Sequence, residues 1–144
     1  MRFWDSSAVV PLLVAESTSA AVLREYELDP EVIAWCATEA ECVSALARLE
    51  REGNLTAPSL GQGLRRLDGL TRSWREVEPV TSVRTTAIRL LRVHPLRTGD
   101  ALQLAAAIVA AEGDPATLPL VTLDARLAQA ADREGFAVVH PDQA

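Results

Sequence analysis

Two rhythms of apolar and polar residues alternate along this chain. Short apolar runs, the mark of buried strands, occur at RFW (2–4), EVIAWC (31–36), LPLVTLD (118–124) and FAVVH (136–140), the last stopped by Pro141. EVEPV (76–80) offers a fifth, short strand. Between them lie stretches with helical spacing. One starts at about Ala8, with Pro11 confined to its first turn or so. A second, STSAAVLREYEL, begins on a hydroxyl cap. TEAECVSALARLEREG is a strong helix, with Thr38 as N-cap, Glu41 three residues later and Gly53 closing it. Leu60, Leu64, Leu67, Leu70 and Trp74 share helical spacing that Gly61, Gly63 and Gly69 weaken. In TSVRTTAIRLLRV, Val83, Ala87, Leu90 and Leu91 occupy one sector and Arg84, Arg89 and Arg92 another. TGDALQLAAAIVAAEG is almost wholly apolar and reads as a helix buried between layers, and ARLAQAADREG is a helix closed by Gly135. The alternation predicts an α/β fold with a mostly parallel central sheet flanked by helices, forming one domain over residues 1–144.

Composition narrows the class. With 49% hydrophobic and 24% charged residues, the 144-residue chain suits a soluble globular protein with a genuine core. Its most apolar run, ALQLAAAIVAA, is interrupted by Gln103 and falls short of the ~20 residues a membrane span needs. No basic-then-apolar leader precedes the first strand, so a cytoplasmic location without membrane attachment is expected. Cys36 and Cys42 match neither a redox pair nor a zinc knuckle and read as small hydrophobes, while His94 and His140 carry no assigned chemistry. Trp4, Trp35 and Trp74 fit core positions better than a base-stacking platform. The net charge of −6 is unevenly spread, for residues 60–99 hold eight arginines against three acids, and Lys is absent throughout.

The candidate chemistry is carboxylate. Asp5 follows the first strand, Glu41 lies in the first turn of the helix after the second, Asp100 follows RTG at the head of the apolar helix, and Asp124 ends LVTL. In a parallel sheet these junctions share one edge, where open α/β folds bind ligands. Each acid has a plainer reading. Glu41 completes a capping box with Thr38, and the three aspartates favour helix N-termini by ~0.3–1 kcal/mol each. Taken singly, the cap is the simpler account. Taken together, converging like charges call for a proton or a cation, and an oxygen-only donor set suits Mg²⁺ or Mn²⁺ rather than zinc. Ser6 and Thr122 supply hydroxyls that either support such a site or serve as cap and core contacts; Glu39 points to another face and reads as solvated. Other Mg²⁺-dependent α/β folds fit less well. A receiver domain needs a Lys, a haloacid-dehalogenase-type phosphatase needs an Asp where Ser7 stands, and DSSAVV lacks the glycines of a phosphate-binding loop.

RFWDSSAVVPLL, TEAECVSALARLEREG, HPLRTGDALQLAAA and LVTLDARLAQAADREGF, in this order, resemble the successive motifs of PIN-domain proteins, in particular VapC-like toxins of bacterial toxin–antitoxin pairs. The resemblance runs from Arg2 to about Val139. Ser6 stands where the family more often has Thr, and Gly99 where it has a larger residue; neither departure removes an acid. The resemblance implies an endoribonuclease in which Asp5, Asp100 and Asp124 hold the divalent ion and Glu41 completes the shell or holds a water. It implies as partners an RNA substrate, a small antitoxin covering the crevice, and a second copy in a homodimer. Arg84, Arg89, Arg92 and Arg97 are the expected phosphate contacts, against the plainer reading of a solvated face. Two alternatives stay open: a PIN-like binding module that cuts nothing, and a metal-dependent nuclease outside any toxin–antitoxin pair.

Overall fold

A computed structural model describes residues 1–141. Its sheet has five strands, β1 (Arg2–Trp4), β2 (Val32–Trp35), β3 (Arg75–Val77), β4 (Leu120–Val121) and β5 (Val138–Val139), in the order β3-β2-β1-β4-β5. Every neighbouring pair is parallel. Seven helices cover it: α1 (Ser6–Leu13), α2 (Ser19–Leu28), α3 (Thr38–Arg51), α4 (Ala57–Ser73), α5 (Thr81–Val93), α6 (Thr98–Ala110) and α7 (Ala125–Arg133). The chain builds outward from β1 to β3, then crosses back to β4 on the other side of β1. That reversal makes the β1–β4 boundary a topological switch point, where neighbouring loops diverge and leave a crevice.

The two-residue period of the strands sorts the core into two halves. Phe3, Ile33, Trp35 and Leu120 face a cluster completed by Leu90, Leu104 and Leu127. Their neighbours Trp4, Val32, Ala34 and Val121 face the opposite cluster, with Val9, Leu13, Leu46, Leu67 and Trp74. Both faces are therefore dry, which is why the strands read as continuous apolar runs. All three tryptophans are buried. Gly63 lets α4 pack closely: a Cβ there would lie 3.0 Å from Val14 Cγ1 and 3.3 Å from Leu46 Cδ1, so those side chains would have to give way. No helix among the described residues is long and apolar enough to cross a membrane.

Several local expectations are corrected. The first helix begins at Ser6, because Asp5 itself caps it, and Pro11 consequently falls in the second turn. Thr38 is not a cap; Ala37 holds that position without a side-chain bond, and Thr38 is the first helical residue. Thr18 caps α2 by position only, since the Ser19 hydroxyl makes the local bonds, accepting from Glu16 N and donating to Val14 O. The strand expected over 76–80 occupies Arg75–Val77, ahead of Pro79, which cannot donate to a ladder. Leu91 is exposed rather than part of the apolar face of α5. The strands expected over 118–124 and 136–140 pair only at Leu120–Val121 and Val138–Val139.

Candidate active site

Asp5 leaves the centre of the sheet at the carboxyl end of β1 and is only 3% exposed. Its Oδ2 accepts from the backbone N–H of Ser7 at 3.3 Å, from the Ser7 hydroxyl and from Thr122 Oγ1 at 3.0 Å. Among the described residues no hydrogen bond reaches Oδ1. One carboxylate oxygen is thus anchored and the other is left for something else. The anchoring also ties two junctions together. Ser7 Oγ accepts from Leu123 N at 3.0 Å and Thr122 Oγ1 accepts from Asp124 N at 3.0 Å, so the same hydroxyl pair positions the start of α7. Asp124 caps that helix, its Oδ1 accepting from Leu127 N at 2.9 Å.

Glu41 reaches the site from the first turn of α3. It does not return to the Thr38 backbone. Its Oε1 accepts from Gln103 Nε2 at 2.8 Å and its Oε2 accepts from Ser6 Oγ at 3.3 Å. Asp100 sits in the first turn of α6 and, with Asp124, Arg97, Gly99, Ala125 and Arg126, lines a cleft of about 560 Å³. A second cleft of about 520 Å³ holds Glu41 with Ser6, Ser7 and Arg48.

The electrostatics couple three of these acids to their acidic neighbours. Burial pushes the Asp5 carboxyl up from its ordinary value, and the charge on Asp124 adds to it against the hydrogen bonds from Ser7 and Thr122. Glu41 is raised first by burial and then by the charges on Asp5 and Asp100. Asp100 is raised by burial and by Asp124, partly offset by the Arg97 backbone and the charges of Arg97 and Arg126. Glu41 therefore senses two other acids, and Asp5 and Asp100 each sense Asp124. Among the described residues no three His, Cys, Asp or Glu side chains close around one point as a finished ion cage. The donor chemistry nonetheless suits a divalent hard cation: oxygen only, mutually repelling, with one Asp5 oxygen taking no hydrogen bond among the described residues.

Ser6 and Thr122 hold Glu41 and Asp5 respectively. Of the four arginines proposed for phosphate contact, only Arg97 lines the acidic cleft. Arg84 borders a separate cavity with Trp35, Arg92 is exposed, and Arg89 forms an ion pair with Glu134 at 2.8 Å. Sequence reasoning missed Arg126, Arg48, Ser7 and Gln103. Arg126 could have been found from its place two residues after Asp124, but Ser7 and Gln103 gain their meaning from partners more than 60 positions away.

A PIN domain profile matches residues 2–133. Ribonuclease VapC45 of Mycobacterium tuberculosis is 32% identical over 136 residues, covering 94% of this chain and 92% of that protein. Ribonuclease VapC35 of the same organism is 35% identical over 150 aligned positions, covering 100% and 99%. In fold, the chain is similar to the crystal structure of FitAcB from Neisseria gonorrhoeae, with a TM-score of 0.69, 17% identity and 100% coverage of both chains. The chain belongs to the PIN-domain family and is a relative of the VapC ribonucleases.

Proposed function

We propose that the protein is a divalent-metal-dependent endoribonuclease, the toxin of a toxin–antitoxin pair. The observation that carries this reading is that four carboxylates stand at four separate strand-to-helix junctions along one edge of a parallel sheet. Burial raises the carboxyls of Asp5, Glu41 and Asp100, and perturbed acids are a mark of functional sites. Full-length similarity to two ribonucleases supports the substrate class.

Asp5, Asp100 and Asp124 would hold Mg²⁺ or Mn²⁺, and Glu41 would complete the set directly or through water. Such an ion supplies a water of lowered pKa and neutralises charge on the phosphodiester. The chain's own residues do the rest. Ser7 and Thr122 fix one Asp5 oxygen so that the other faces its work without a rotamer search. Arg97 and Arg126, beside Asp100 and Asp124, offset the repulsion between an acidic cleft and a polyanion and orient the phosphate. The toxin role extends the relationship to the VapC ribonucleases, and with it go a small antitoxin and a second copy of this chain as proposed partners.

The test is cleavage of a mixed cellular RNA pool by purified protein with Mg²⁺, Mn²⁺ or EDTA, alongside Asp5→Asn and Asp100→Asn. Metal-dependent cutting by wild type, absent from both folded variants, is expected. Equal cutting by the variants, or none by wild type, would overturn the proposal in favour of a binding module. A short neighbouring reading frame encoding a DNA-binding protein would separate the toxin role from a nuclease acting alone.

A further inference from the structure

Gln103 is the one polar residue in the buried stretch of α6, with 1% of its surface exposed. An amide in such a place must bond its polar atoms to compensate for lost water. Its Nε2 does so twice, donating to Thr38 Oγ1 at 3.0 Å and to Glu41 Oε1 at 2.8 Å. Its Oε1 is buried with no partner among the described residues. Turning the amide over would set that oxygen against the Glu41 carboxylate, so the acid itself fixes which way the amide faces. The arrangement thus satisfies Glu41 at the expense of Gln103.

The placement has a geometric consequence. Gln103 lies three residues after Asp100, on the same face of α6. Thr38 and Glu41 are likewise three apart on α3. One rigid helix therefore carries a site carboxylate and, one turn on, the donor that grips another. The Gln103 hydrogen bonds thus tie α3 to α6 one turn beyond Asp100. Ser6 holds the other Glu41 oxygen more loosely, at 3.3 Å.

We propose that Gln103 is a positioning residue for the metal site: its amide holds Glu41 in register with Asp100, so that the two carboxylates present themselves to one cation. This rests on the nuclease reading above. It is a role acting through Glu41, with no contact of Gln103 to the ion or the RNA. The lone pairs of Glu41 not used by Gln103 and Ser6 remain available, because a carboxylate offers about four acceptor sites.

The test is a double-mutant cycle on Mn²⁺ affinity, measured by calorimetry on the full chain without RNA, using Gln103→Met, Glu41→Gln and the pair. Methionine keeps the length and volume of the side chain and removes the orphaned oxygen with the amide. Gln103→Met is expected to weaken Mn²⁺ binding by about 10–100-fold, the usual cost of losing a partner that orients a ligand. In the Glu41→Gln background the same change should have almost no further effect. An equal loss in both backgrounds would mean a general packing role and overturn the inference, as would unchanged affinity in the single variant. Should Gln103→Met not fold, the wild-type protein answers instead. The Gln103 side-chain amide, followed by ¹⁵N NMR, should shift on adding Mg²⁺ in wild type and stay still in Glu41→Gln; the same response in both, or none in either, would overturn it. Wild type that binds no Mn²⁺ and cuts no RNA removes the nuclease reading, and this proposal with it. Wild type that binds and cuts while Gln103→Met matches it removes only the proposal.

Discussion

Two clusters of charged side chains in this molecule show opposite design. At the carboxyl edge of the sheet, Asp5, Glu41, Asp100 and Asp124 come together with like charge, and burial and repulsion raise the carboxyls of the first three. Between α5 and α7, Glu134 sits among partners. It accepts from Arg89 at 2.8 and 3.3 Å and lies 2.7 Å from His94 Nε2. The Arg89 hydrogen bonds hold its carboxyl below the ordinary range against the effect of burial, with His94 adding to them. Both clusters gather residues from distant parts of the chain. Only the second is electrically complete. The first gathers like charge, as the proposed cation site would require. The second is a clasp.

That contrast can be broken or sharpened by experiment. The largest effect is expected from exchanging damage between the clusters. Asp100→Asn should lower RNA cleavage by at least about 10²-fold, exceeding what loss of an orienting partner costs, while leaving the melting temperature unchanged or higher. Glu134→Gln should do the reverse, leaving cleavage within about twofold and costing about 1–2 kcal/mol. That range allows for the half-exposed Arg89 and the loss of a bond to buried His94. Parallel cleavage and melting measurements on the two variants check both. Loss of activity in each, or of stability in each, would erase the distinction.

Next comes pH. Groups with raised folded values, Asp5, Glu41 and Asp100, favour the fold while protonated, and their contribution is lost as pH rises from about 4 through those values. Glu134 works in the opposite sense, its contribution present above its ordinary value and lost as pH falls through the lowered one. Mg²⁺ should relieve only the first set. Its stabilisation, about 2–4 °C per kcal/mol for a chain of this size, should therefore grow as pH rises above about 4 and shrink in Asp100→Asn. A Mg²⁺ effect independent of pH, followed by thermal melts, would place the ion elsewhere.

The smallest change is Ser7→Ala. It removes a donor to Asp5 and the acceptor of Leu123 N, a loss of about 1 kcal/mol that leaves Thr122 still holding Asp5. A modest fall in melting temperature with partial cleavage retained is expected. Full activity would show that one hydroxyl suffices.

Much of this was legible in residue order. Apolar runs separated by helical stretches implied the parallel sheet, and a parallel sheet puts every strand-to-helix junction at one edge. Asp5 and Asp124 were readable as caps and as acids, and both cap in the fold. Thr38 misled because TEAE carries the spacing of a capping box, and local pattern alone cannot say whether a hydroxyl bonds its own backbone or a distant amide. Arg89 likewise shared a helix face with Arg84 and Arg92, yet Glu134, on another helix, claims it.

Residue order therefore put the four acids at strand-to-helix junctions, because strand direction and helix periodicity are short-range properties. Tertiary packing alone decided which of them are held and by what. Gln103 looked like an interruption in an apolar run until α3 and α6 met, and Ser7 looked like filler until β4 lay beside β1. Hydrogen bonds between such elements depend on ångström distances across the core, and those emerge only when both faces of the sheet are covered.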